Sequence, residues 1–181
     1  MADAVRAVAR EEDHVTALEL AAWIRDRRPG LRILDLRSPA EFDAYHVPGA
    51  ERADIQAVPS LPFRAGETIV LYSEGGTHAA QAWLLLRALG YRRVYFLRGG
   101  LYEWLEQVID PVLPAGDDAA TRAERARIAS LSRYFGGMPS VLPRAPREDA
   151  LPIPGARASG TGGGATGSSA ASLQRIRRRG C

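Results

Sequence analysis

The sequence contains no lysine and a single cysteine, Cys181. One thiol cannot form a disulfide within the chain, so internal cross-links are excluded and this cysteine is inert, reactive or intermolecular. No apolar run approaches the roughly 18 residues of a membrane-spanning helix, and residues 1–13 lack the apolar centre of a secretory signal. We therefore expect a soluble, cytoplasmic protein, and we expect neither a cofactor nor a metal site.

Acidic residues are missing from the last part of the chain. All 24 positive charges are arginine, and the 21 acidic residues all precede residue 155. Residues 155–181 contain five arginines and no acid. The basic character therefore belongs to this segment, whereas we attribute the all-arginine composition to the base composition of the genome rather than to a mechanism.

Helix and strand patterns alternate through the first two thirds of the chain. Thr16 is suited to cap a helix that Gly30 would end, and Ser38 with Pro39 is typical of the start of another. The patterns predict strands over 31–37, 68–73 and 91–97, and helices over 15–30, 38–42, 78–89 and 101–109. This alternation predicts an α/β fold in which helices cover both faces of a parallel sheet.

A different pattern follows residue 113. Asp117 or Asp118 can cap a trailing helix that continues to Tyr134 and ends at Gly136, and this helix either packs on the domain or docks a partner. Residues 159–172 are a Gly/Ser/Ala/Thr linker, for which we expect disorder. The predicted division is an extension over 1–13, a domain over 14–112, the trailing helix over 113–137 and a flexible tail over 138–181.

Two segments contain several motifs in a defined order. Residues 33–50, ILDLRSPAEFDAYHVPGA, contain Asp35, Arg37, Glu41, Phe42, His46, Pro48, Gly49 and Ala50, and through these residues they resemble the strand end and turn of the rhodanese-like sulfurtransferase family. Residues 69–104 resemble its strand, active-site loop, helix, strand and final Gly-Gly with a downstream tryptophan, here Gly99, Gly100 and Trp104. The resemblance implies a single rhodanese-like domain with a parallel sheet flanked by helices.

The resemblance also implies a chemistry that the loop of this chain cannot perform. In the family, a loop cysteine takes sulfane sulfur as a persulfide, and the loop usually reads Cys-x-x-Gly-x-Arg before a small polar residue. Here Ser73 stands at the cysteine position, His78 and Ala79 follow, and Tyr45 stands where the turn usually has glycine. An alcohol is not ionised at neutral pH and cannot store sulfur as a thiol does. We expect no ordinary thiosulfate:cyanide sulfurtransferase activity from this loop.

The loop that begins at Ser73 remains a candidate binding site. We call it the Ser73 loop, and its residues are Ser73, Glu74, Gly75, Gly76, Thr77 and His78. Its N–H groups at a helix start could bind an anion or a thiolate, although the charge of Glu74 opposes an anion. Asp35 and Arg37 either support the loop or form a plain strand-end salt bridge.

The histidines suggest no hydrolase. A serine nucleophile activated by His78 is disfavoured, because the Gly-x-Ser-x-Gly pattern and an orienting carboxylate are missing. His78 is either a surface residue or a partial substitute for the family's arginine. We expect His46 to form a structural hydrogen bond in its turn.

Cys181 is the alternative nucleophile. A coil of about 30 residues has a root-mean-square span of about 30 Å, so the thiol can reach the Ser73 loop in its own or a neighbouring chain. The nearby arginines Arg175, Arg177, Arg178 and Arg179 favour its thiolate. We predict that Cys181 accepts or carries a persulfide, with a sulfur donor or acceptor protein as partner.

Other readings of the chain stay open. The runner-up is a catalytically inactive rhodanese-like module that binds or regulates a partner. Further alternatives are S-acylation beside the arginines and nucleic-acid contact by the arginine run, although we predict no dedicated membrane or nucleic-acid site. The sequence does not identify an oligomeric state.

Overall fold

The structure, a computed structural model, describes residues 13–141. The predictions for the N-terminal extension, the Gly/Ser linker, the arginine-rich segment and Cys181 lie outside the described residues. The strands are β1 His14–Val15, β2 Leu31–Asp35, β3 Ala50–Arg52, β4 Thr68–Tyr72, β5 Val94–Leu97, β6 Val112–Leu113 and β7 Ser140–Val141. The helices are α1 Ala17–Arg25, α2 Pro39–Ala44, α3 Thr77–Ala88, α4 Gly100–Trp104 and α5 Ala119–Tyr134, with a 3-10 turn at Val58–Ser60 and a π turn at Leu105–Ile109.

Five strands form one parallel sheet in the order β1-β5-β4-β2-β3. The central strand β4 pairs with β2 through Val70 opposite Ile33, and with β5 through Val70 opposite Tyr95. All five residues of β4 are buried, as expected for a strand covered on both faces. The predicted α/β fold is confirmed.

Two apolar cores lie on opposite faces of the sheet. On one face, Trp83 and Leu86 of α3 pack with Leu71 of β4. The other core combines Tyr72 of β4 with side chains of α1, α4 and α5, among them Leu20, Trp104 and Leu131. The predicted covering of both faces by helices is therefore also confirmed.

Polar side chains begin the helices as the sequence indicates. Thr16 and Ser38 each form a capping box. The cap hydroxyl accepts the backbone N–H of a glutamate three residues later, and the carboxylate of that glutamate accepts the backbone N–H of the cap residue. Asp118 caps α5 by accepting the N–H of Thr121. These local signals predict helix starts well because donor and acceptor are three residues apart.

The predicted end of the first helix is wrong. Helix α1 ends at Arg25, and Gly30 lies beyond a turn that follows it. Arg27 adopts a left-handed conformation with φ of 51°, and the N–H of Arg28 bonds to the carbonyl of Trp23 at 2.9 Å. A left-handed residue ends a helix, and here an arginine takes this conformation before the glycine does.

The trailing helix α5 packs on the domain, so the structure decides between the two predicted alternatives. The ring of Phe135 meets that of Trp104 edge-on, with centroids 5.2 Å apart. After the helix, the N–H of Met138 bonds to the Ile109 carbonyl at 2.8 Å, and β7 pairs with β6. Within residues 13–141, no helix has both the length and the apolar character needed to cross a membrane.

Candidate functional site

The Ser73 loop lies at the carboxyl end of the central strand β4 and leads into α3, the place where open parallel sheets commonly bind ligands. Ser73 is buried, with 3% of its surface exposed. Its hydroxyl oxygen accepts the N–H of Gly76 at 3.2 Å. The loop therefore folds around the Ser73 side chain.

The start of α3 offers N–H donors to a ligand. Gly76 precedes the helix in a left-handed conformation, with φ of 94°, and Thr77 and His78 begin it in exposed positions. The first N–H groups of a helix have no partner within it and carry partial positive charge. Glu74 is exposed beside them. The loop thus combines a set of donors with one carboxylate.

The first turn of α4 holds the loop in place. The N–H of Leu101 bonds to the Ser73 carbonyl at 2.9 Å, and the N–H of Tyr102 bonds to the Glu74 carbonyl at 3.2 Å. Gly100 has φ of 59°, and a Cβ there would lie 2.3 Å from the Ser73 carbonyl oxygen. The close approach of loop and helix explains why glycine stands at this position.

A buried ion pair supports the residue before Ser73. Asp35 is completely buried, and Arg37 contacts both its carboxylate oxygens, with Nε at 3.0 Å from Oδ1 and Nη2 at 2.5 Å from Oδ2. The Arg37 guanidinium lies 5.7 Å from the centre of the Tyr72 ring. Burial is the main cause that raises the pKa of the Tyr72 phenol, and a hydrogen bond with Asp35 raises it further. Arg37 therefore contacts Tyr72, the residue before the Ser73 loop, and also forms an ion pair with Asp35 at the end of β2.

Tyr45 and Trp104 form a contact that the sequence did not reveal. The Trp104 indole N–H donates to the Tyr45 hydroxyl at 2.9 Å, while Arg37 Nη2 donates to the Tyr45 carbonyl at 2.6 Å. Burial raises the pKa of the Tyr45 phenol. The sequence marks Tyr45 as a departure from the rhodanese-like pattern and Trp104 as part of it, but no pattern in the sequence indicates that the two side chains meet.

The histidines occupy different surroundings. His46 lies within 2.9 Å of the Phe42 carbonyl through Nδ1 and stacks on the Phe42 ring at 4.0 Å, which confirms its structural role. His78 is exposed, whereas the Ser73 hydroxyl is bonded to Gly76. Within residues 13–141, no group of three or more His, Cys, Asp or Glu side chains could hold a metal ion.

Known protein families and proteins match the part of the chain that contains this site. The family model described as a rhodanese-like domain matches residues 16–107. The chain is 30% identical over 103 residues to the probable adenylyltransferase/sulfurtransferase MoeZ of Mycobacterium tuberculosis, covering 52% of this chain and 25% of that protein. It is 32% identical over 88 residues to a sulfurtransferase of Allochromatium vinosum, covering 46% of this chain and 80% of that protein.

Solved structures include similar folds. The human single-domain sulfurtransferase aligns with a TM-score of 0.46 and 26% identity, covering 52% of this chain and 96% of that one. The chain spans only a quarter of the length of the mycobacterial protein that it matches.

Proposed function

The chain belongs to the rhodanese-like domain family, and from this premise we propose that it handles sulfane sulfur through Cys181, with the Ser73 loop as the docking site. Sulfur transfer is the role that the names of its relatives indicate at the level of the family. The proposal keeps the predicted division into an extension (1–13), a rhodanese-like domain (14–112), the trailing helix (113–137) and a tail (138–181).

The surroundings of Ser73 carry this proposal. Its side chain is buried at the start of α3, where a family nucleophile would receive N–H groups and the helix dipole. A hydroxyl there stays protonated at neutral pH, and sulfane sulfur needs a thiolate. The sequence contains one thiol, at Cys181. Sulfur chemistry by this chain therefore has to pass through that residue.

The proposed reaction is two successive displacements at sulfur. The Cys181 thiolate attacks the outer sulfur of a donor such as thiosulfate, the S–S bond of the donor breaks, and sulfite leaves with the electron pair. A persulfide then stands on Cys181. In the second step an acceptor thiolate attacks the outer sulfur of this persulfide, and the Cys181 thiolate leaves. No further oxidant or reductant is needed.

The loop supplies docking rather than a bond to sulfur. The N–H groups at the start of α3 suit an anionic persulfide, and the pair of Asp35 and Arg37 lies against the ring of Tyr72, the residue before Ser73. Glu74 opposes a small free anion, but its charge is opposite to that of the four arginines before Cys181. A sulfur atom carried on a basic segment therefore matches this loop better than a free dianion does.

A second candidate function is a binding module without sulfur chemistry. The observation that favours it is the burial of Ser73, whose hydroxyl is already engaged by Gly76. The loop and its supporting residues would then bind a protein partner or an anion. The two functions differ in whether Cys181 is needed.

The deciding experiment is intact-mass spectrometry of the reduced full-length protein after incubation with thiosulfate or with a cysteine desulfurase that generates persulfide. We expect wild type to gain about one sulfur mass, mapped to the peptide that contains Cys181, and Cys181→Ser to gain none. A Glu74→Gln variant, with its thiol intact, tests whether the loop affects the rate. No gain in wild type with either donor would reject the carrier function and leave the binding module.

A further inference from the structure

The Tyr45 hydroxyl closes a ring of contacts around Ser73, and from this ring we infer that Tyr45 is a positioning residue for the Ser73 loop. The inference deepens the proposed function, because it rests on that loop being the docking site. The family pattern usually has glycine at this position, and glycine has no side chain that could make this contact. Tyr45 therefore has a role here that the pattern does not include.

One half of the ring runs through α4. The Ser73 carbonyl accepts the N–H of Leu101, and Gly100 approaches the same oxygen too closely for any side chain. One turn later, the Trp104 side chain is completely buried, and its indole N–H donates to the Tyr45 hydroxyl at 2.9 Å. The orientation of α4, and with it the anchor of the loop, is thus tied to Tyr45.

The other half of the ring runs through the sheet. The Tyr45 carbonyl accepts from Arg37 Nη2 at 2.6 Å, and Asp35 holds that guanidinium with both carboxylate oxygens. Arg37 lies over the ring of Tyr72, the residue directly before Ser73. Tyr45 therefore joins the helix that anchors the loop from one side to the ion pair that supports the loop from the other.

The phenol hydroxyl is the link that can be removed without disturbing the core. Tyr45 is 37% exposed, whereas Trp104 and Asp35 are completely buried. Replacing Tyr45 with phenylalanine keeps the ring and removes only the acceptor of the indole N–H. A buried donor without a partner is unfavourable, so α4 must shift or admit water. The loop carbonyls bonded to α4 should register this change first.

The experiment compares the full-length wild type with Tyr45→Phe by 15N NMR and amide exchange. The matched control is Tyr134→Phe, which removes the hydroxyl of another exposed tyrosine whose ring contacts that of Phe135. We expect a shift of the Trp104 indole resonance, shifts at Gly75 and Gly76, and exchange about tenfold faster at Leu101 and Tyr102. The β4 amides should keep their protection, and Tyr134→Phe should change none of these.

Each other result overturns the inference. An indole shift without a change in the loop would show that the contact does not position the loop, and an unchanged indole would show that the contact is absent. Equal loss of protection in the loop and β4, or failure of Tyr45→Phe to fold, would show a general structural role. None of these readouts involves Cys181, so they are independent of whether that residue accepts sulfur.

Discussion

Ser73 is a buried side chain at the start of α3, a position where the helix dipole and the first N–H groups of the helix act on the atom it carries. The N–H of Gly76 donates to its side-chain oxygen at 3.2 Å, and Gly76 directly precedes α3. The same groups would lower the pKa of a thiol at this position, since helix N-termini favour the thiolate.

We therefore expect Ser73→Cys, made together with Cys181→Ser, to accumulate a persulfide on the introduced thiol after incubation with thiosulfate. Peptide mapping by mass spectrometry would locate the added sulfur. Ser60→Cys, made together with Cys181→Ser, places an exposed thiol away from the start of any α-helix and should gain far less. A well-folded Ser73→Cys protein without added sulfur would show that His78 and Ala79 have changed the loop.

Gly100 is a second position where a few atoms matter. A Cβ would lie 2.3 Å from the Ser73 carbonyl oxygen, and its φ of 59° is unfavourable for other residues. We expect Gly100→Ala to lower the free energy of unfolding in urea by more than about 1 kcal/mol.

Gly75 is the matched control for this substitution. A Cβ there would meet only the Tyr102 ring, at an ordinary 4.0 Å. Gly75→Ala should therefore leave the urea midpoint nearly unchanged. Equal effects of the two substitutions would contradict the proposed close approach of α4 to the loop.

At the scale of the element, short-range polar patterns predicted more than glycines did. Thr16, Ser38 and Asp118 begin their helices as expected, because each cap bonds within three residues of itself. Gly30 did not end α1, since Arg27 adopts the left-handed conformation first. Strands β1, β6 and β7 were missed because two residues are too few for an alternating pattern to show.

The candidate site was predictable only in part. The resemblance indicated Ser73, Gly100 and Trp104 from local motifs, and the structure shows how the first two meet. The hydrogen bond between Tyr45 and Trp104 joins residues far apart in sequence. Hydrogen bonds between distant side chains follow from the packing of whole elements, and neither hydrophobic periodicity nor turn chemistry encodes them.

The capping box of α1 gives a prediction about pH. Thr16→Ala should lower the free energy of unfolding by about 1 kcal/mol at neutral pH, because the hydroxyl accepts the N–H of Glu19. The hydrogen bond from the Thr16 side chain, followed by that from its backbone, lowers the pKa of Glu19. The ionised carboxylate therefore stabilises the fold fully above the ordinary glutamate pKa, and this contribution is lost as the pH falls through the lowered pKa.

Urea unfolding of wild type and Thr16→Ala between pH 7 and pH 2 tests this. The difference in the free energy of unfolding between wild type and Thr16→Ala should stay constant down to a pH of about 4 and shrink below it. Thr77→Ala, at an exposed threonine that begins α3, is the control and should show no comparable step. A difference that grows on acidification would contradict the capping argument.

At the scale of the described domain, α5 shares a core with the sheet. Leu131 is buried together with Leu20, Tyr72 and Trp104. Because these side chains come from helices near both ends of the described residues and from the central strand between them, residues 13–141 should unfold as one cooperative unit.

Leu131→Ala should therefore lower the free energy of unfolding by about 3 kcal/mol in a single transition. Leu89→Ala, which truncates a leucine that is 55% exposed after α3, should cost under about 1 kcal/mol. Calorimetry and circular dichroism would compare the two. A separate early transition in Leu131→Ala would instead show that α5 unfolds independently of the sheet.

The order of strands in the sheet also determines when β1 can pair while the chain is synthesised on the ribosome. Within residues 13–141, strand β1 pairs only with β5, through His14 opposite Phe96, so about 80 residues must be added before β1 meets this partner. At roughly 10 residues per second, this takes about 8 seconds. During that interval Leu20 of α1 lacks Leu97, Trp104 and Leu131 of its core, so part of its apolar side is available to chaperones, and the codons between β1 and β5 determine for how long.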